Sequence, residues 1–209
     1  LTVHHGSYRG EIVSDQFSKL EELTEKLAKA ESIIHSISRI QSMYITNRPK
    51  KEVFDALLVI LLRETESEYG FIGEIKNDAD TGAPYLKTFA ITNIAWNEET
   101  QKFYEENIVN GLEFRNLETL FGKTIKTGEI VIANDPKNHP DSAGIPKGHP
   151  PLNCYLGVPL IANNDMVGMF GVANKGAEYD TALIDRLAPV INAISQLVYA
   201  QRQKEMGAQ

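Results

Sequence analysis

The chain is short of cysteine, of positive charge and of long apolar runs, and each shortage removes a class of function. One cysteine, Cys154, in 209 residues permits no intramolecular disulfide and no cysteine zinc cluster within one chain. Such usage fits a reducing compartment, and a cytoplasmic location is expected. No apolar stretch approaches the roughly 20 residues a membrane-spanning helix needs. The polar N-terminus lacks the layout of a signal peptide. Lys and Arg number 21 against 28 Asp and Glu, a formal net charge of -7. That balance argues against a sequence-independent nucleic-acid binder, whose phosphate contacts need a basic surface. No Lys/Arg run supplies a local one.

What is present is the composition of an ordinary globular protein, 42% hydrophobic and 23% charged. The length suits one core plus an appendage, with no internal repeat. The chain begins at Leu1 rather than Met and ends within a helical pattern, so it is expected to be part of a longer protein.

Residues 1–14 show no pattern and read as a flexible N-terminus, in which His4 and His5 make a poor metal site. From Ser14 or Asp15, either of which can cap a helix, Leu20, Leu23, Leu27, Ala30, Ile34, Ile37, Gln41 and Tyr44 follow 3-4-3-4 spacing. This heptad seam predicts a helix over 15–47, with a helix–helix contact between two chains as the favoured reading and packing on its own domain as the alternative. Arg48-Pro49 breaks the helix, and Pro49 suits the first turn of another. Val53, Phe54, Leu57, Leu58, Leu61 and Leu62 form the broad apolar face of that second helix, which Gly70 is expected to end.

Strand signals follow at Phe71–Ile75 and Leu86–Thr92, around the turn-rich stretch Asn77–Pro84. Helical spacing covers Asn97–Val109 and Asn116–Thr127, and Ile130–Ala133 reads as a short strand. Asn134–Leu152 is a long loop carrying prolines at 136, 140, 146, 150 and 151, and loops of that length are commonly functional. Strands Cys154–Ala162 and Met166–Asn174 flank Asn163-Asn164-Asp165, a hairpin signal. Asp180 caps a final helix running toward Gln203. The order predicts an α+β domain over 48–205, with a central antiparallel sheet, terminal helices on one face and loops on the other.

Several blocks then carry a resemblance: GFIGEI at Gly70–Ile75, LKTFAITNIAW at Leu86–Trp96, GLEFRNLETLFG at Gly111–Gly122, VIANDP at Val131–Pro136, GHPPLNCYLGVPL at Gly148–Leu160 and MVGMFGVANKGAEYD at Met166–Asp180. Together they resemble the GAF domains, ligand-binding modules of bacterial sensors and cyclic-nucleotide phosphodiesterases. The likeness is greatest to a bacterial subgroup found ahead of histidine kinase and diguanylate cyclase output domains. The resemblance implies a pocket on the sheet face away from the terminal helices. It also implies a regulatory, non-enzymatic role: binding a small molecule, with a cyclic nucleotide as the leading class, and relaying the signal through a homodimer. The Leu20–Tyr44 helix and the C-terminal helix would form that dimer. A ligand-free dimerisation or relay module is the alternative. NKGAEYD is similar to the structural motif of cyclic-nucleotide GAF domains, and a Lys175–Asp180 pair is expected to pin the junction before the last helix.

For the pocket, Phe89, Trp96, Phe114, Leu120 and Phe121 are the expected walls, and Asn97, Arg115, Asn116, Asn134, Asp135, His149 and Asn153 the expected polar contacts. No resident cofactor or metal is expected. Asp135, His139 and Asp141 match no metal spacing. GKTIKTG at Gly122–Gly128 lacks the upstream glycine of a phosphate loop. Cys154 with His149 has no nucleophile elbow and reads as core.

Overall fold

The computed structural model describes residues 5–93, 102, 110–143 and 149–207. They divide into two compact units, Leu1–Arg39 and Ile40–Gln209. The first unit is the body of helix α1 (His5–Ile45), which runs on into the second. This helix begins well before Asp15, because Gly6 and Gly10 lower helix propensity without breaking the backbone ladder as a proline would. Along it Phe17, Leu20, Leu23, Leu27 and Ile34 are exposed. Glu22–Lys26 and Glu25–Lys29 ion pairs at i,i+4 spacing lie between them.

The second unit is built on a six-stranded, wholly antiparallel sheet in the order β3-β2-β1-β6-β5-β4. Its strands are β1 (Tyr69–Asn77), β2 (Pro84–Ile91), β3 (Glu113–Phe114), β4 (Val131–Ala133), β5 (Tyr155–Ala162) and β6 (Asp165–Ala173). Helices α2 (Lys50–Thr65) and α4 (Thr181–Met206) cover one face, and the short α3 (Leu120–Thr127) packs against β4 and β5. The expected α+β layout is therefore present. Two-residue alternation sends Ile72, Leu156, Val158, Leu160, Phe170 and Val172 toward α2 and α4, where all are buried.

Local chemistry explains the element ends. Asn163 and Asn164, both at positive φ (51° and 65°), make the two-residue turn between β5 and β6 that matches strand twist. Asp180 caps α4, its Oδ1 accepting from the Leu183 N–H at 2.7 Å. Thr119 caps α3 in the same way toward Gly122 N–H at 3.1 Å. That cap moves the start of α3 from the expected Asn116 to Leu120. Pro49 stands just before α2 rather than within its first turn. Helix α2 stops at Thr65, with Glu66 in the left-handed region. Gly70 is an interior residue of β1, where its missing Cβ admits the Gly171 carbonyl. The helix expected at Asn97–Val109 lies, Lys102 apart, outside the described residues.

Candidate ligand-binding site

The sheet face opposite α2 and α4 has an unusual floor. Cross-strand pairing lines up Tyr69, Ala173 and Tyr155 in one row, and Phe71, Gly171 and Gly157 in the next. Two glycines at the centre let large side chains lie flat on the sheet. A Cβ on Gly171 would come within 2.6 Å of the Phe71 ring and 2.9 Å of Tyr155 Oη. One on Gly157 would come within 2.7 Å of Tyr155 Oη and 2.8 Å of Thr124 Oγ1. Any larger residue would lift these groups off the floor.

Three rings form a corner above it. Phe71 meets Phe114 edge-on at 5.7 Å and Phe121 edge-on at 6.4 Å, and Phe114 lies 5.5 Å from Phe121. Such contacts contribute about 0.5–1.5 kcal/mol each beyond area burial. All three rings remain only partly buried, so an apolar surface stays open. Beside the corner, Leu120, Val131, Ala133 and Tyr155 form a small cluster under α3, with Phe121 and Leu152 packed on it.

Among the described residues, two hydroxyls in this region have no hydrogen-bond partner: Tyr155 Oη and Thr124 Oγ1. Thr124 is fully buried and Tyr155 is 6% exposed. Burial pushes the Tyr155 phenol well above its ordinary range, with the nearby Tyr179 adding to the shift, so it is a neutral donor. A buried hydroxyl left unpaired costs about 1–3 kcal/mol. The contrast with other helical threonines is informative. Thr24, Thr65 and Thr127 each bond back to the carbonyl four residues earlier. Thr124, equally able to do so, presents its oxygen toward Gly157 instead.

The expected site residues separate into groups. Phe114, Phe121 and Leu120 do line this face. Phe89 does not: it stacks on Phe54 of α2 at 4.2 Å, on the opposite face of the sheet. A bulge where β1 passes from Ile72 to Gly73 sets Phe89 and Ala90 side by side and shifts the alternation. Trp96 and Asn97 lie outside the described residues.

The expected polar contacts are mostly engaged in local structure. Arg115 pairs with Asp78 at 2.7 Å and Glu113 at 2.8 Å and lies over the Tyr85 ring. Asn116 accepts from the Glu118 N–H at 3.0 Å. Asn134 brackets the Tyr179 backbone, donating to its carbonyl at 3.0 Å and accepting from its N–H at 2.9 Å. Asp135 is exposed and accepts from Asn138. The exposed Asn153 donates its N–H to Asn174 Oδ1 at 2.9 Å. His149 packs edge-on against Tyr69 at 5.7 Å, at the end of the tyrosine row.

Lys175 donates to the Glu178 carbonyl, and Asp180 is occupied as the cap of α4, so the expected Lys175–Asp180 pair is not what pins that junction. Asn134 does so, together with Asn174, whose amide donates to Glu68 and to the Pro151 carbonyl, both at 2.9 Å. Cys154 is buried. The three residues that sequence reasoning missed are Phe71, Thr124 and Tyr155.

The decisive comparison is with known families. Residues 47–198 match the family described as GAF domain. The chain belongs to the GAF domain family. A methyl sulfide methyltransferase-associated sensor from Methanosarcina acetivorans is 29% identical over 87 residues. That alignment spans 41% of this chain and 9% of the relative, so the chain matches a small part of a much longer sensor. Among solved structures, this chain is similar to the GAF domain of a phosphoenolpyruvate-protein phosphotransferase from Coxiella burnetii. The TM-score there is 0.64 at 15% identity, covering 86% of this chain and 99% of that one. It is also similar to a free methionine-R-sulfoxide reductase from Neisseria meningitidis in complex with its substrate. In that case the TM-score is 0.59 at 14% identity, covering 84% and 93%. Such identities establish the shared fold and leave ligand and activity to the residues themselves. Among the described residues of this GAF domain, no helix is long and apolar enough to cross a membrane.

Proposed function

We propose that this GAF domain is a regulatory sensor. It binds a small molecule bearing a planar ring on the open sheet face and passes the signal through α1 and α4 of a homodimer to an attached output domain. A diguanylate cyclase or a histidine kinase would be such an output. The observation that carries the ligand half is the Phe71–Phe114–Phe121 corner standing over the Gly157–Gly171 floor. Ligand sites are mostly apolar with a few aimed polar groups, and this face carries half-covered rings beside two hydroxyls. The dimer half rests on the exposed Leu20, Leu23, Leu27 and Ile34 of α1, at the spacing of a two-helix seam.

A cyclic nucleotide is the first class to test, with its base against the rings. Among the described residues its phosphate would find few free cations here: Arg115, Lys123 and Lys126 are paired with Asp78, Asp141 and Glu118 respectively. A regulatory role, with no catalysis in this domain, is supported by its membership of the GAF domain family.

Thermal unfolding with cyclic AMP, cyclic GMP and free nucleobases tests the ligand half, because a ligand that binds only the folded chain raises its Tm. A rise abolished by Phe121→Ala supports the proposal. No rise with any of them contradicts it. For the dimer half, sedimentation of the full chain carrying Leu23→Glu and Leu27→Glu is expected to show monomer. Undiminished dimer would rule out the seam.

A further inference from the structure

The two unpartnered hydroxyls say more about the ligand than the rings do. Tyr155 comes from the start of β5 and Thr124 from the last turns of α3, elements brought together only by the fold. Their oxygens converge over Gly157, each within 2.8 Å of the position its Cβ would take. Both are buried and neither has a partner among the described residues. Each hydroxyl can donate one hydrogen bond and accept others. Two cations of the same helix, Lys123 and Lys126, are turned into ion pairs with Asp141 and Glu118. A pair of neutral hydroxyls without a cation does not compensate a buried charge, whereas it suits an uncharged group that both donates and accepts.

We infer that Tyr155 and Thr124 form a two-pronged hydrogen-bonding clamp for an uncharged amide-like edge of the ligand, whose ring then lies against Phe71 and Phe121. This rests on the proposed ring-binding role and adds the chemistry of the group held deepest. The same edge occurs on a free heterocycle and on the base of a nucleotide. In the second case the base enters first and the phosphate stays outside the clamp.

A matched series separates the readings. Benzamide, benzoate and toluene present one ring with an amide, a carboxylate or no polar edge. Their affinities for the full chain are measured by ligand-observed NMR, for wild type and for the Tyr155→Phe, Thr124→Val double variant. The clamp predicts that benzamide binds at least tenfold more tightly than benzoate or toluene. It also predicts that the double variant brings benzamide down to the toluene level. The Tm of the free variant should be unchanged or raised, since no protein hydrogen bond is removed. Hypoxanthine and cyclic GMP carry the edge without and with a phosphate. The one that binds names the source, and its affinity should fall at least tenfold in the double variant.

Benzoate binding as tightly as benzamide would overturn the clamp. So would benzamide affinity indifferent to the two substitutions, the result expected if the hydroxyls hold only a buried water. A lowered Tm in the free variant would also overturn it, by showing the hydroxyls to be structural. Toluene binding that survives in each of those cases leaves the ring site standing. Failure of all three rings to bind wild type would remove the ring site, and the clamp with it.

Discussion

The two faces of the sheet are made from the same strands and obey different rules. Toward α2 and α4, Ile72, Leu156, Val158, Leu160, Phe170 and Val172 interlock with Phe54, Leu57, Leu187 and Ile194, all buried below the exposure of an ordinary surface side chain. Most polar groups there are tied in. Glu74 pairs with Lys76 at 3.0 Å through one oxygen, leaving only the other unpartnered, and Lys50 and Lys76 both reach Glu205. On the α3 side stand the glycines of β5 and β6, the half-covered rings of Phe71, Phe114 and Phe121, and the hydroxyls of Tyr155 and Thr124, both unpaired among the described residues. One face is a completed core and the other stops short of completion. Where local rules of packing and polar satisfaction are broken together, a functional site is the expected reason.

The sharpest way to break this comparison is to remove one ring from each face. Phe170 is fully buried on the helix side, and Phe170→Ala is expected to cost about 3–5 kcal/mol through lost burial and a cavity. Phe121→Ala removes a half-buried ring and is expected to cost only about 1 kcal/mol, since less apolar area is lost. Urea denaturation measures both. Equal losses would mean that the two faces are the same kind of core.

Filling the floor is the next largest effect. Gly171→Ala places a methyl 2.6 Å from the Phe71 ring, and an overpacked site of this kind costs about 1–3 kcal/mol. The substitution should also lift Phe71 and weaken binding of any ring ligand, read by the same denaturation and by thermal shift. Unchanged stability would show that the floor has spare room.

The smallest effect lies at the sheet edge. The hydrogen bond from Arg115, followed by those from Thr81, holds the Asp78 carboxyl down at about 2, against an ordinary 3.8. A lowered acid pKa adds stability that is fully present above pH 3.8 and is lost as pH falls through about 2. Because the pair is exposed, the sign matters more than the size. Carboxyl NMR titration should find Asp78 near the lower value and return it toward the ordinary range in Arg115→Ala. A carboxyl that stays low in that variant would assign the shift to Thr81 instead.

The completed face was the legible one. Apolar spacing located α2 and α4 in the sequence, Asn163-Asn164 marked the hairpin, and Asp180 marked the cap, because each follows from local backbone chemistry. The open face was legible only in part. Phe114, Leu120 and Phe121 stand out as apolar residues in a polar stretch. Tyr155 and Thr124 do not, since a tyrosine starting a strand and a threonine within a helix look like ordinary core and surface. Their significance appears only when strand register sets Gly157 beside Gly171. Asn116, Asn134 and Asp135 misled for the opposite reason. Short polar side chains beside turns tend to serve local structure: Asn116 bonds to nearby backbone, Asp135 to the Asn138 side chain, and Asn134 to the distant Tyr179 backbone that the fold brings beside it. Phe89 lies three residues from Leu86, the partner of Phe114, so alternation along β2 sends it to the helix face, a relation that only the strand register reveals.

The open face, and not the helix face, is the one proposed to receive a ligand. Backbone amide NMR of the full chain, titrated with benzamide, tests this directly. The predicted result is the largest shifts at Phe71, Phe121, Gly157 and Gly171, with Phe54, Phe89 and Leu187 on the helix side left still. Shifts confined to α2 and α4, or none at any concentration reached, would contradict it.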